Sequence, residues 1–265
     1  MPVTMCERIE INMKFHTFGD EKNQVMILLH GMLNPWQIWE DAAAYFSKEY
    51  YVIVPELDGH TETEKSSFVS VEEEAEAIRK YVIENFDGKI SALCGLSMGG
   101  RIAAILAGMP GISVDALVLD GAPLQKLPGL FRTMIKNSYR MVIEKSKGRD
   151  PKILERAKKE FLPERYLEAY LKVADHMDEE NISKIIDSVF RPFEFKAYGD
   201  QVRILFLHGT KGNEKVSAKA AKCMKEANPQ TEIRCFQGYG HAQLASFEID
   251  KWIQEVAAFL GHAEG

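Results

Sequence analysis

Ser97 stands between two glycines in Gly95-Leu96-Ser97-Met98-Gly99, after the apolar run Ile90 to Cys94 and before the helix-forming run Arg101 to Ala107. This order reads as strand, sharp turn and helix, with a hydroxyl at the apex. The glycines take away side chains that would collide in so tight a turn. A serine held there can attack a carbonyl once a base, an orienting carboxylate and donors for an oxyanion are brought to it.

The base candidate is His241 in Gly238-Tyr239-Gly240-His241, which follows the last apolar block. A glycine-flanked loop can carry an imidazole over a sheet edge, and imidazole titrates near neutrality. The other histidines have plainer roles. His16 and His262 lie near the termini, and His176 belongs to a charged central region. His60 follows Leu57-Asp58-Gly59 in a loop, and His208 ends an apolar block. For the oxyanion, Leu28-Leu29-His30-Gly31-Met32 is a strand running into a turn. Gly31 lets the backbone come close to a substrate, so the Met32 N–H can face the developing charge, with the Met98 N–H as second donor. His30 then reads as a hydrogen-bonded anchor of the turn.

These groups need a scaffold. Short apolar blocks at Val25 to Leu29, Tyr51 to Val54, Ile90 to Cys94, Ala116 to Leu119, Ile204 to Leu207 and Ile233 to Phe236 suit strands of a mostly parallel sheet covered on both faces. Before them, Ile9, Ile11, Met13 and Phe15 alternate with Glu10, Asn12, Lys14 and His16, the pattern of an antiparallel edge pair with one wet face. Helices are expected over Trp36 to Ser47, Met98 to Gly108, Val216 to Ala227 and Glu248 to Leu260. Another follows the capping box Ser70-Val71-Glu72-Glu73, with Val71, Ala75, Ile78 and Val82 along one face. Alternating strand and helix gives an α/β fold.

From Leu124 to Ala197 the alternation stops, and charged amphipathic segments are broken by Pro128, Pro151, Pro163 and Pro192. So long a connection must be a structured helical insertion, and its place after a strand puts it over the carboxyl ends of the sheet, as a cap. The domain reading is therefore a core of residues 1–123 and 198–265 with a helical cap of residues 124–197. Cap residues Leu130, Phe131, Met134, Ile135, Tyr139, Met141, Val142 and Phe190 could line an apolar pocket. Phe131 and Met134, with Gly31 and Trp36 of the core, are the substrate-contact candidates.

Composition narrows the class. The chain has 265 residues, 46% hydrophobic and 27% charged, with net charge −6. That is ordinary for a soluble globular protein and speaks against a nucleic-acid partner. Met1 to Arg8 holds no apolar run suited to a signal peptide or membrane span, so a cytoplasmic location without membrane contact is expected. Cys6, Cys94, Cys223 and Cys235 are far apart with no C-x-x-C pair, which suggests neither a metal site nor a disulfide framework. The sequence is silent on oligomeric state.

The elements His30-Gly31-Met32, Gly95-Leu96-Ser97-Met98-Gly99-Gly100 and Gly238-Tyr239-Gly240-His241 resemble, in order and spacing, those of the α/β-hydrolase superfamily. Val54-Pro55-Glu56-Leu57-Asp58-Gly59-His60 is similar to its Pro-Asp-x-x-Gly-His-Gly segment, with Glu56 and Thr61 replacing the usual acid and glycine. The resemblance implies an α/β-hydrolase fold and a Ser–His hydrolytic mechanism. Superfamily members also place an aspartate in a His-Gly-x-x-Asp segment, but here His208-Gly209-Thr210-Lys211-Gly212 has glycine at that place. Two carboxylates can replace it. Glu214 lies two residues on, at the start of a Lys-rich helix. Asp120 ends the preceding strand, where some superfamily members carry the acid. A strand end is rigid, so Asp120 is preferred and Glu214 is the alternative.

The implied reaction is acyl transfer from a small to medium ester through a Ser97–His241–acid triad, with no metal or organic cofactor. A serine at the apex disfavours haloalkane dehalogenation and epoxide opening, for which relatives use aspartate. A thioesterase or carbon–carbon bond hydrolase on the same triad is an alternative. So is a ligand-binding module with vestigial catalysis.

Overall fold

The computed structural model describes residues 13–262. Cys6 and the alternating residues Ile9 to Asn12 lie outside the described residues. Seven strands form one sheet: β1 (Lys14–Phe18), β2 (Gln24–Leu29), β3 (Tyr50–Glu56), β4 (Lys89–Leu96), β5 (Ser113–Asp120), β6 (Arg203–His208) and β7 (Glu232–Cys235). Their order is β1-β3-β2-β4-β5-β6-β7, and β1 alone runs antiparallel to its neighbour. All six apolar blocks are strands. The expected wet face of β1 is partly covered, because the His16 ring stacks on Trp36.

A 3₁₀ turn (Trp36–Trp39) leads into α1 (Glu40–Phe46); α2 (Val71–Phe86) and α3 (Met98–Ala107) follow, and α8 (Glu214–Ala227), α9 (Gln243–Phe247) and α10 (Ile249–Leu260) come after the insertion. Helix α1 packs on α10, with Trp39 and Trp252 4.7 Å apart, and α2 packs on α3. The Ser70 hydroxyl accepts from the Glu73 N–H at 3.1 Å and so caps α2. The central strands are closed to water: Ile27, Leu93, Leu117 and Leu205 are all fully buried. Each such side chain contributes about 1.5–3 kcal/mol, which is why register here is not free to slip.

Register decides where chemistry can occur. Leu29 pairs with Gly95, Leu96 with Asp120, Asp120 with Leu207, and His208 with Cys235. The carboxyl ends of five strands therefore fall in line. The turns that follow them carry Gly31, Ser97, Gly121, Glu214 and His241 out at one sheet edge.

The insertion is helical: α4 (Gly129–Lys147), α5 (Pro151–Glu160), a 3₁₀ turn (Glu164–Tyr166), α6 (Leu167–His176) and α7 (Glu179–Val189). Three of its four prolines open elements, and Pro192 lies in the loop after α7. Pro151 sits in the first turn of α5, where the Asp150 carboxylate accepts from the N–H groups of Lys152 and Ile153. Buried polar links fasten it to the core. Asn181 Oδ1 accepts from the Phe68 N–H at 2.9 Å, and the Ser188 hydroxyl accepts from the Val71 N–H at 2.9 Å. Arg101 of α3 donates to Pro123 O and to Pro192 O, both at 3.1 Å, and so holds the two feet of the insertion.

Candidate active site

Ser97 has φ 52° and ψ −114°, a backbone conformation rare for a residue with a side chain. Such strain costs about 1–3 kcal/mol and persists only when the surroundings enforce it. Here the Ser97 N–H donates to Asp120 O at 2.8 Å, and the Ser97 carbonyl accepts from the Arg101 N–H at 3.1 Å. The flanking glycines answer to space. A methyl group at Gly95 would lie 2.3 Å from Gly99 O, and one at Gly99 would lie 2.3 Å from Leu29 O.

The Ser97 hydroxyl donates to His241 Nε2 at 2.8 Å, and His241 Nδ1–H donates to Glu214 Oε1 at 2.6 Å. Glu214 is almost fully buried, and its other oxygen accepts from the Gly209 N–H at 2.7 Å. Burial pushes its pKa up, but the bond and charge of His241 and the Gly209 N–H outweigh that, and the net shift is downward. The loop that carries His241 is tied to the loop before Glu214. Tyr239 O accepts from the N–H groups of Thr210 and Lys211, and Thr210 Oγ1 accepts from the Gly238 N–H. Gly121, with φ +59°, leaves room for the ring: a Cβ there would sit 3.0 Å from His241 Cε1.

The carboxylate on His241 is thus Glu214, and the preference for Asp120 is corrected. The rigidity sought at a strand end is supplied at residue 214 by the start of α8 and by the Gly209 N–H. Glycine at 212 takes φ +62° in open space, which lets the loop turn before Glu214 reaches back. Asp120 serves the elbow through its carbonyl instead. Its carboxyl is buried, and Oδ2 makes no hydrogen bond. Burial first, and the charge of Glu214 second, push its pKa up to about 7.

Met32 lies in the turn after β2, and Met98 opens α3. Among the described residues neither backbone N–H has an internal acceptor. His30 is fully buried; its Nε2 accepts from the Leu57 N–H at 3.3 Å, and Nδ1 lies 3.0 Å from Gly31 O. Burial lowers its pKa to about 4, so it is a neutral brace for the turn.

A family profile described as the alpha/beta hydrolase fold matches residues 24–150, from β2 through the elbow into the insertion. The chain has the α/β-hydrolase fold. Solved structures agree over nearly the whole chain. An α/β-hydrolase family protein from Desulfitobacterium hafniense is 23% identical, with TM-score 0.75 over 93% of this chain and 100% of its own. A thermophilic esterase from Thermogutta terrifontis is 20% identical, with TM-score 0.70 over 94% of this chain and 93% of its own. MenH from S. aureus is 19% identical, with TM-score 0.69 over 94% and 97%. No curated protein sequence matches the chain significantly.

On this fold, Ser97 opens into two joined cavities that share Met32, Tyr139, Asn213 and His241 as walls. The larger, about 650 Å³, is lined on its far side by Asn34, Lys159, Glu160, Phe161 and Gln243. The smaller, about 210 Å³, is apolar, with Met98, Leu127, Ile135, Ile186, Phe190 and Val216. Gly31 lines the larger arm.

The other contact candidates lie elsewhere. Trp36 stacks on His16 at 3.7 Å and closes the β1 edge. Phe131 and Met134 are 55% and 60% exposed on the outer face of α4. Their neighbours Ile135 and Tyr139, four residues apart, are the ones that face Ser97. Asn34 and Asn213 were not singled out from the sequence, although a short turn after each anchoring His-Gly pair was the available signal. Among the described residues no helix is long and apolar enough to cross a membrane.

Proposed function

We propose that the chain is a serine hydrolase that cleaves carboxylic esters. The observation that carries this reading is the unbroken hydrogen-bond chain Ser97–His241–Glu214 at the meeting point of two cavities. In the proposed cycle His241 Nε2 takes the Ser97 proton as Oγ attacks the ester carbonyl. The N–H groups of Met32 and Met98 receive the oxyanion. His241 then gives its proton to the departing alkoxide, and the acyl group stays on Ser97. Water loses a proton to His241 and attacks the acyl carbonyl, the carboxylic acid leaves, and Ser97 regains its proton.

The two arms divide the substrate. Water must reach the acyl-enzyme through space the alcohol has vacated, which suits the larger arm, the more polar of the two. The acyl chain then occupies the apolar arm, whose size fits a short to medium chain, under the insertion as a cap. An assembled triad favours catalysis over a vestigial binding role.

The test is covalent labelling with a fluorophosphonate, alongside a panel of nitrophenyl esters and acyl thioesters of graded chain length. Labelling at Ser97, lost in Ser97→Ala together with ester turnover, is expected. Wild-type protein that is neither labelled nor active on any of the panel would end this reading. Preference for the thioesters would move the substrate class within it.

A further inference from the structure

The carboxamide of Asn34 is a polar group with no internal task. Asn34 is only 7% exposed, yet it lines the larger arm beside Ser97. Its backbone N–H donates to Gly31 O at 3.2 Å and closes the turn, which leaves the carboxamide open to the cavity rather than sealed inside the protein. The turn is also built to present it. Leu33, buried and with a full side chain, takes φ 64°, and Pro35 behind Asn34 restricts the backbone to extended geometry. A Cβ on Gly31 would lie 2.7 Å from Asn34 Oδ1, so glycine at 31 clears the seat of this carboxamide as well as the approach to the oxyanion.

Resting on the ester-hydrolase reading, we propose that Asn34 selects the leaving group, binding a hydroxyl carried on the alcohol part of the substrate. A carboxamide presents a donor and an acceptor side by side, and a hydroxyl is both. An ionic group has no counter-charge here: Lys159 and Glu160 are both exposed on the opposite wall and oppose one another in sign. The substrate class is therefore the ester of a short apolar acid with a diol or polyol, the free hydroxyl close to the scissile oxygen.

Matched probes test this. 2-Hydroxyethyl butyrate and propyl butyrate have the same heavy-atom skeleton and differ in one hydroxyl. Wild-type kcat/KM should favour the hydroxy ester by at least about tenfold, since a polar site left unpaired penalises the analogue. In Asn34→Leu the ratio should fall to near one, with the change carried in KM. Calorimetric binding of both esters to Ser97→Ala, and to Ser97→Ala with Asn34→Leu, reads the same preference without turnover. Equal binding of the two esters to Ser97→Ala, or an unchanged ratio in Asn34→Leu, would overturn the assignment. Loss of all turnover and labelling with the binding preference intact would count against the hydrolase reading and leave Asn34 its role.

Discussion

Glu214 Oε1 lies 2.6 Å from His241 Nδ1, while Asp120, a second buried carboxyl close enough to feel the charge of Glu214, makes no bond to the ring. Two acids thus stand behind one imidazole, and only one of them orients it. Replacing them separately should give unequal results. Glu214→Gln is expected to lower kcat by about 10²–10⁴, the scale of a triad acid lost with geometry kept. Asp120→Asn should stay within a few-fold of wild type. Steady-state kinetics on a nitrophenyl ester decides, and equal losses would make the two carboxyls a functional pair.

Asp120 should also leave a mark on stability. Its pKa rises from 3.8 to about 7, burial being the largest cause. Between those values the folded protein holds a proton that the unfolded chain has released, so stability falls as pH rises through this window and stays lower above it. Asp120→Asn removes the burden. Its Tm advantage over wild type should grow from pH 4 to pH 7 and then level off; an advantage independent of pH would contradict the argument.

Gly121 tests whether ring placement matters. Alanine there would put a Cβ 3.0 Å from His241 Cε1 and 3.1 Å from Nδ1, at a φ of +59° that disfavours any side chain. Gly121→Ala should lower kcat by about 10²-fold, the scale of a small misplacement of a catalytic group. Circular dichroism should show a folded protein. Normal kcat would mean that the ring has slack.

Arg101 links the elbow helix to both feet of the insertion. Its guanidinium is buried, which lowers its pKa to about 10, yet it satisfies Pro123 O and Pro192 O. Arg101→Met would leave both carbonyls without their donor and should destabilise by about 3 kcal/mol. A denaturant titration measures this, and a midpoint within error of wild type would show that the feet are held by other contacts.

In the proposed reaction the small apolar arm holds the acyl chain and so limits its length. Val216→Phe fills space between α8 and Phe190 and should shift the preferred acyl chain to a shorter one by one or two carbons, at about tenfold per methylene. The ester panel reads it directly, and an unchanged optimum would place the acyl chain in the other arm.

The fold was legible because strands buried on both faces write themselves as short apolar blocks, and the elbow because Gly95 and Gly99 are demanded by contacts made within a few residues and one adjacent strand. The identity of the acid was not. It depends on a loop that turns at Gly212 and is shut by the Gly209 N–H, a contact invisible to spacing. Helix phase hid the pocket in the same way. The periodicity of α4 shows a stripe, but Phe131 and Met134 differ from Ile135 and Tyr139 only in which side the helix turns toward Ser97. Asn34 was passed over because what singles it out is its place on the cavity wall beside Ser97, which only three dimensions reveal.

The bonds from Thr210, Lys211 and Gly238 between the loop before Glu214 and the loop that carries His241 have a further consequence. Glu214 and His241 belong to one mechanical piece, so their relative position does not have to be re-established at each turnover. In the proposed reaction, when the proton leaves Ser97, the carboxylate that receives the new imidazolium charge is already in place, and little reorganisation is left for the transition state.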